Sequence, residues 1–289
     1  MARTFHALYL QHGDRRLPEA LAAVRRIHEC VFPGLERRIV VTDNAVTSGG
    51  ASPVAADTVL VAGDNTYREF SGWDRGWRWL EEHRAPADDD VLCLCNDTFM
   101  ADPEAEDFHR LDGATALRDL QAGRLLGHVD GLAADVNVFG TPLRHWIKSN
   151  LVLMSVRTLR DLAPLTLTLA DEELFVDDPA VFFRDRDDLG RDYREFIKGF
   201  LQGRPNAALW RWHSARPFDH DNLALFRLKA RAILSEHGLS ARAARTGHAI
   251  VDISAPRLPS KELRHRLRFE LYRTGAWRLV PRFRRRFNV

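Results

Sequence analysis

The chain has 289 residues, 45% hydrophobic and 28% charged, with 18 Gly, 13 Pro and a formal net charge of +2. That composition excludes disordered, collagen-like and disulfide-scaffold classes. The longest stretch without Asp, Glu, Lys or Arg is residues 44–56, short of the roughly 20 apolar residues a spanning helix needs. No signal-peptide-like apolar region follows Met1, so the sequence predicts a cytoplasmic protein. Cys30, Cys93 and Cys95 are odd in number and do not form two spaced pairs, which predicts reduced packing residues, not a disulfide framework or a zinc site.

Phe5 to Gln11 alternates as a strand does. Leu17, Leu21, Val24, Ile27 and Val31 then recur at helical spacing, with Pro18 at the start and Pro33-Gly34 beyond the end. The apolar run Arg38 to Thr42 closes in Asp43-Asn44, and Thr58 to Val61 closes in Gly63-Asp64-Asn65. Trp73, Trp77 and Leu80 share one helical face up to Pro86, and Val91 to Cys95 runs into Asn96-Asp97-Thr98. Strands alternating with helices at this pace predict an α/β fold, a mixed sheet with helices on both faces. Ligands of such sheets collect beyond the carboxyl ends of the strands, where the loops at Asp43, Asp64 and Asp97 would lie together.

Further on, Asp130-Gly131 and Phe139-Gly140 read as turns and Trp146 to Val156 as a strand, while Asp192 to Leu201 and Asn222 to His237 carry helical patterns. Trp210-Arg211-Trp212-His213 and Phe218-Asp219-His220-Asp221 read as an aromatic, His-rich loop. Residues 1–256 are expected as one catalytic domain and 257–289 as a basic amphipathic tail, with Ser260 as N-cap and Leu263, Leu267 and Leu271 on one face. The tail holds eleven Lys/Arg against two Glu, a net of +9, which leaves −7 on the preceding 256 residues. Its interleaved Phe269, Tyr272, Trp277, Phe283 and Phe287 suit an anionic membrane surface at the inner face of the plasma membrane. The acidic remainder and the lack of a recognisable module argue against nucleic acid.

Three segments together resemble the GT-A glycosyltransferases, in particular the bacterial enzymes of surface polysaccharide and lipopolysaccharide synthesis, including the rhamnan-synthesis type. They are Val40-Val41-Thr42-Asp43-Asn44, then Gly63-Asp64-Asn65 with Glu69 to Gly76, then Leu94-Cys95-Asn96-Asp97-Thr98. A fourth likeness is His145 to Asn150, similar to the acceptor-side segment of those enzymes. The resemblance covers roughly residues 1 to 160. It implies a GT-A, Rossmann-like sheet and transfer of a sugar from a nucleotide diphosphate donor to a glycan or lipid-linked glycan acceptor. It further implies a divalent metal, Mn or Mg, where the family places its Asp-x-Asp motif.

On that resemblance, Asp43, Asn44, Asp64, Asn65, Ser71, Gly72, Arg75 and Asn96 are expected at the nucleotide sugar, Ser149 and Asn150 at the acceptor, and Asp97 at the metal and diphosphate. A diphosphate leaving group needs its charge compensated, by a cation on Asp97 or by Arg75 and the helix N-terminus near Ser71-Gly72, because Asn96-Asp97-Thr98 supplies one carboxylate where the family motif supplies two. His220, with His213, Asp219 and Asp221 nearby, is a candidate second metal ligand. Asp130, His145, Asp171, Glu172 and Asp219 are candidate general bases. The bland alternatives are turn chemistry for Asp43-Asn44 and an N-cap role for Asp97. The rival class is a non-catalytic scaffold of a polysaccharide assembly complex.

Overall fold

A computed structural model describes residues 3–13, 15–46, 48–101, 103–204, 212–254, 267, 270, 271 and 274–276. The chain divides into two compact units, so the residues expected as one domain are shared between them. The first comprises Met1–Val129, Ile147–Thr166 and Arg242–Ala255, and the second Asp130–Trp146, Leu167–Ala241 and Pro256–Val289.

The first unit opens with β1 (Thr4–Gln11), α1 (Leu17–Val31), β2 (Glu36–Asp43), β3 (Ser52–Ala55), β4 (Thr58–Ala62), α2 (Arg68–Arg84) and β5 (Val91–Asn96). Two 3₁₀ stretches, Phe99–Ala101 and Pro103–Arg110, lead to α3 (Gly113–Gln121). There follow the first residues of β6 (Leu125–Val138), the last residues of β7 (Thr141–Ser155), α4 (Val156–Leu162) and, near the end, β8 (Ile250–Asp252). Among the described residues the strands form one mixed eight-stranded sheet in the order β3-β4-β2-β1-β5-β7-β6-β8. β1 runs parallel to β2 and β5, β2 parallel to β4, and β5 antiparallel to β7.

β1 and β5 are buried along their whole length, as expected of parallel strands covered on both faces. On one face, Phe5, Ala7, Tyr9, Ile39, Val41, Cys93 and Cys95 pack with Ala20, Leu21, Val24 and Ile27 of α1. The alternate residues meet α2. A Cβ on Gly72 would sit 1.9 Å from Leu10 Cδ1, and one on Gly76 would sit 2.8 Å from Thr42 Oγ1. Only glycine lets α2 approach this closely, and Trp73 then donates from Nε1 to the Cys95 carbonyl at 3.1 Å.

Two local expectations are corrected. Asp130-Gly131 is not a turn but lies inside β6, where Gly131 packs against the His145 ring that a Cβ would meet at 2.6 Å. Cys30 is exposed on α1, since the apolar stripe turns Ile27 and Val31 inward instead, whereas Cys93 and Cys95 are buried; all three are free thiols. No helix among the described residues is long and apolar enough to cross a membrane. In the predicted tail, Leu267, Glu270 and Leu271 are helical and Leu267 is exposed, while Ser260, Leu263 and most of the basic residues lie outside the described residues.

The second unit holds α5 (Asp171–Leu174), α6 (Arg191–Gln202) and most of α7 (Leu223–Arg245). Its core is aromatic, with Phe182 and Phe218 at 4.4 Å and Phe218 and Phe226 at 4.7 Å between centroids. Trp212 packs edge-on to Phe226 at 5.6 Å, so Trp212 and Phe218 turn inward from the aromatic, His-rich loop while His213, Asp219, His220 and Asp221 stay exposed; Trp210 and Arg211 lie outside the described residues. Arg231, 1% exposed, is neutralised by Asp171 at 2.8 Å and by the Leu167 and Leu169 carbonyls. His237 shares a 2.8 Å hydrogen bond with Tyr193 and stacks 4.1 Å from Trp146.

Burial pushes the His237 pKa from 6.5 down to about 3. The unfolded chain therefore binds a proton between these values that the folded chain refuses, and stability falls as pH drops through that window. His237→Asn, which keeps a partner for Tyr193, is expected to flatten the decline of Tm between pH 7 and 4 by several kcal/mol of unfolding free energy; a wild-type pH profile in the variant would contradict this.

Candidate functional site

From β1 the chain steps through α1 to β2 and on to β4, and α2 then carries it back to β5 on the far side of β1. The carboxyl ends of β1 and β5 thus form a topological switch point, the usual crevice for ligands in such sheets. Register brings the polar ends together: Gln11 lies opposite Asp43, Asp43 opposite Ala62, and Leu10 opposite Asn96. The Asp97 N–H extends the ladder by donating to the Leu10 carbonyl at 3.0 Å. Leu151 is opposite Cys95 in the antiparallel pair, so Ser149 and Asn150 run beside Asn96 and Asp97. Asp43, Asn44, Asp64, Asn65, Asn96, Asp97, Ser149 and Asn150 therefore share one sheet edge.

Their side chains divide by what they bond. Asp43, 3% exposed, accepts from Gln11 Nε2 and from the N–H groups of Gly13 and Ala45, each at 2.8 Å. Asp43, expected at the nucleotide sugar, is thus spent on fixing its own loop. Asn44 donates from Nδ2 to the Arg68 carbonyl at 3.0 Å and accepts from the Asn65 N–H at 3.3 Å, joining the β2 end to the entrance of α2. Asn96 accepts from the Thr98 N–H at 3.0 Å and hydroxyl at 2.6 Å, and donates to the Ser149 carbonyl at 3.4 Å. Asn150 Oδ1 accepts from the Leu151 N–H at 3.0 Å. Gly72 is explained by its closeness to Leu10.

Asp97 differs. It is half-buried, among the described residues no other residue donates a hydrogen bond to its carboxylate, and burial raises its pKa against the opposing pull of Arg16, His12 and its own backbone N–H. Tyr9 and Gln11, on the Cys95 face of the sheet, present Oη and Oε1 as buried atoms without partners. The Gln11 amide cannot be turned round without pointing oxygen at the Asp43 carboxylate, so Oε1 is fixed as a free acceptor. Burial, followed by the influence of Cys95, Asp97 and Asp43, pushes the Tyr9 hydroxyl up, keeping it protonated. Asp64 is exposed; burial is outweighed by hydrogen bonds from Thr66 and Ser71 and by the Arg75 charge, which lower its pKa.

Tyr9, Gln11, His12, Arg16 and Arg68 were missed in the sequence reading. The available signals were the polar His12-Gly13 and Arg15-Arg16 between a strand and Pro18, and the period-two alternation that puts Tyr9 and Gln11 on the face of Cys95. The remaining predicted residues belong to the second unit. Asp130 and His145 lie in β6 and β7, Asp171 is bound to Arg231, and Asp219 exchanges hydrogen bonds with Asn222 at 2.9 and 3.1 Å as a cap for α7. His220 is exposed in the turn before α7.

The donor set does not fit a resident divalent cation. Among the described residues no three His, Cys, Asp or Glu side chains gather as ligands, and the Asp97 carboxylate is already drawn on by the Arg16 guanidinium, which competes with a metal ion. Searches against family models, curated proteins and solved structures return no match.

A carboxylate whose folded pKa is raised costs stability once ionised, and the cost vanishes when pH falls below its unfolded value. Asp97→Asn is therefore expected to raise Tm at pH 7 and to leave it unchanged near pH 3, as measured by calorimetry at both pH values; an equal shift at both would remove desolvation as the cause.

Proposed function

We propose that the chain is a GT-A-like glycosyltransferase that moves a sugar from a nucleotide diphosphate donor to a glycan or lipid-linked glycan acceptor in surface polysaccharide synthesis. The supporting observation is the half-buried Asp97 at the β1/β5 switch point, whose carboxylate is hydrogen-bonded by no other described residue, on the same edge as the Asp43 and Asp64 loops. In this reading Asp64 and Asn65 meet the nucleoside, Arg75 the diphosphate and Asp97 the reacting end, with Ser149 and Asn150 on the acceptor side.

The acceptor oxygen attacks the anomeric carbon, the bond from that carbon to the β-phosphate oxygen breaks, and the pair of electrons leaves with the nucleoside diphosphate. The acceptor's proton passes to Asp97, whose raised pKa makes it a stronger base than an exposed aspartate. Asp97→Ala is expected to lower transfer by 10²-fold or more with the fold intact by circular dichroism; unchanged turnover ends this role.

The second reading, a binding or scaffold protein, is favoured by Asp43 and Asn44 being satisfied within the chain. Calorimetry with a panel of nucleoside diphosphates separates the two, since the scaffold reading expects no heat. The basic tail is proposed to sit on anionic membrane, where the lipid-linked acceptor would be found. Liposome flotation should fall in a 1–256 truncation, and equal flotation of both forms would refute it.

A further inference from the structure

Many of the described arginines are bound to carboxylates. Arg25 and Arg37 share Asp57, Arg160 binds Asp88, Arg186 binds Asp188 and Arg231 binds Asp171. Arg68 and Arg75 are among those that are not. Both are largely covered yet each keeps a buried Nε with no hydrogen-bond partner, and among the described residues neither makes an ion pair. A buried guanidinium N–H without an acceptor costs desolvation that no hydrogen bond returns, and an anion at the site would supply the acceptor.

The two residues lie on one stripe of α2, seven positions or two turns apart. Arg68 opens a helix of 17 residues whose N-terminus has no side-chain cap, so its first-turn N–H groups are also free for an acceptor. Asp64, the carboxylate whose pKa the Arg75 charge lowers, already accepts from the Thr66 N–H.

The backbone singles out Arg68 further. Its φ is +54°, a left-handed conformation unfavourable for a long side chain. The carbonyl is held there by two donors, Asn44 Nδ2 at 3.0 Å and Ser71 Oγ at 3.3 Å, while Ser71 Oγ accepts from the Tyr67 N–H at 3.0 Å. Asn44 thereby ties Arg68 to the carboxyl end of β2. Two residues expected at the nucleotide sugar thus act by positioning a third.

We infer that Arg68 and Arg75 form a diphosphate-binding pair, fixed by Asn44 and Ser71, that supplies positive charge where the described residues gather no metal ligand set. That the diphosphate is carried by a nucleotide sugar rests on the glycosyltransferase reading; the anion site itself does not. Guanidinium groups suit this task because each offers parallel N–H donors to phosphate oxygens.

The test is titration of the full chain with inorganic pyrophosphate by calorimetry, in EDTA and in Mn²⁺. Arg68→Gln and Arg75→Gln are each expected to weaken binding roughly tenfold, and wild-type affinity is expected to be the same in both buffers. Arg68→Gly, which removes the side chain and relieves the left-handed strain, should lose the same affinity without lowering Tm. Wild-type affinity in the Gln variants, no binding by the wild type, a tenfold loss in EDTA, or a fall in Tm accompanying the loss in Arg68→Gly would each overturn the pair. Arginine-dependent pyrophosphate binding with no affinity for any nucleoside diphosphate would uphold the pair and fail the nucleotide-sugar reading, whereas sugar transfer undiminished in Arg68→Gln would do the reverse.

Discussion

Parallel alignment of β2, β1 and β5 is the constraint on which the first unit depends. These strands are covered on one side by α1 and on the other by α2, so their side chains are apolar nearly throughout, and polar groups are tolerated only where the strands end. Because all three run in one direction, the ends coincide at a single edge. The two glycines of α2 extend the same logic, since they let the helix lie against Leu10 and Thr42 and so bring its uncapped N-terminus over that edge.

At the edge, polar groups fall into two populations. Asp43, Asn44 and Asn96 are saturated by local donors and acceptors and define the shape of the loops. Asp97, Arg68, Arg75, the Tyr9 hydroxyl and Gln11 Oε1 lack such partners. The second population costs stability, and groups of that kind are retained in folded proteins chiefly where a ligand completes them. The saturated residues remain indispensable to the reading, because they hold the unsatisfied ones in place.

The second unit manages buried polarity differently. Arg231 is neutralised by a carboxylate and two carbonyls, while His237 is kept uncharged among aromatic rings with one hydroxyl partner. Its candidate acids are likewise committed: Asp171 to Arg231 and Asp219 to the start of α7.

Period and punctuation in the chain were enough for the strands and helices of the first 100 residues, for their α/β arrangement and for the shared edge of Asp43, Asp64 and Asp97, because those features follow from apolar runs and the residues that stop them. Asp130-Gly131 misled for a physical reason: Asp-Gly is a turn signal only when the neighbouring pairing leaves it unpaired, and here Gly131 accommodates the His145 ring across the hairpin. Which side chains are spent and which are free was decided by tertiary structure alone. Asp43 and Asp97 are the same residue type after the same kind of strand, yet Gln11, Gly13 and Ala45 donate to one, while among the described residues no other residue donates a hydrogen bond to the other. Arg68 owes its importance to a φ angle and to an asparagine 24 residues earlier, and such long-range hydrogen bonds leave no periodic trace in a sequence.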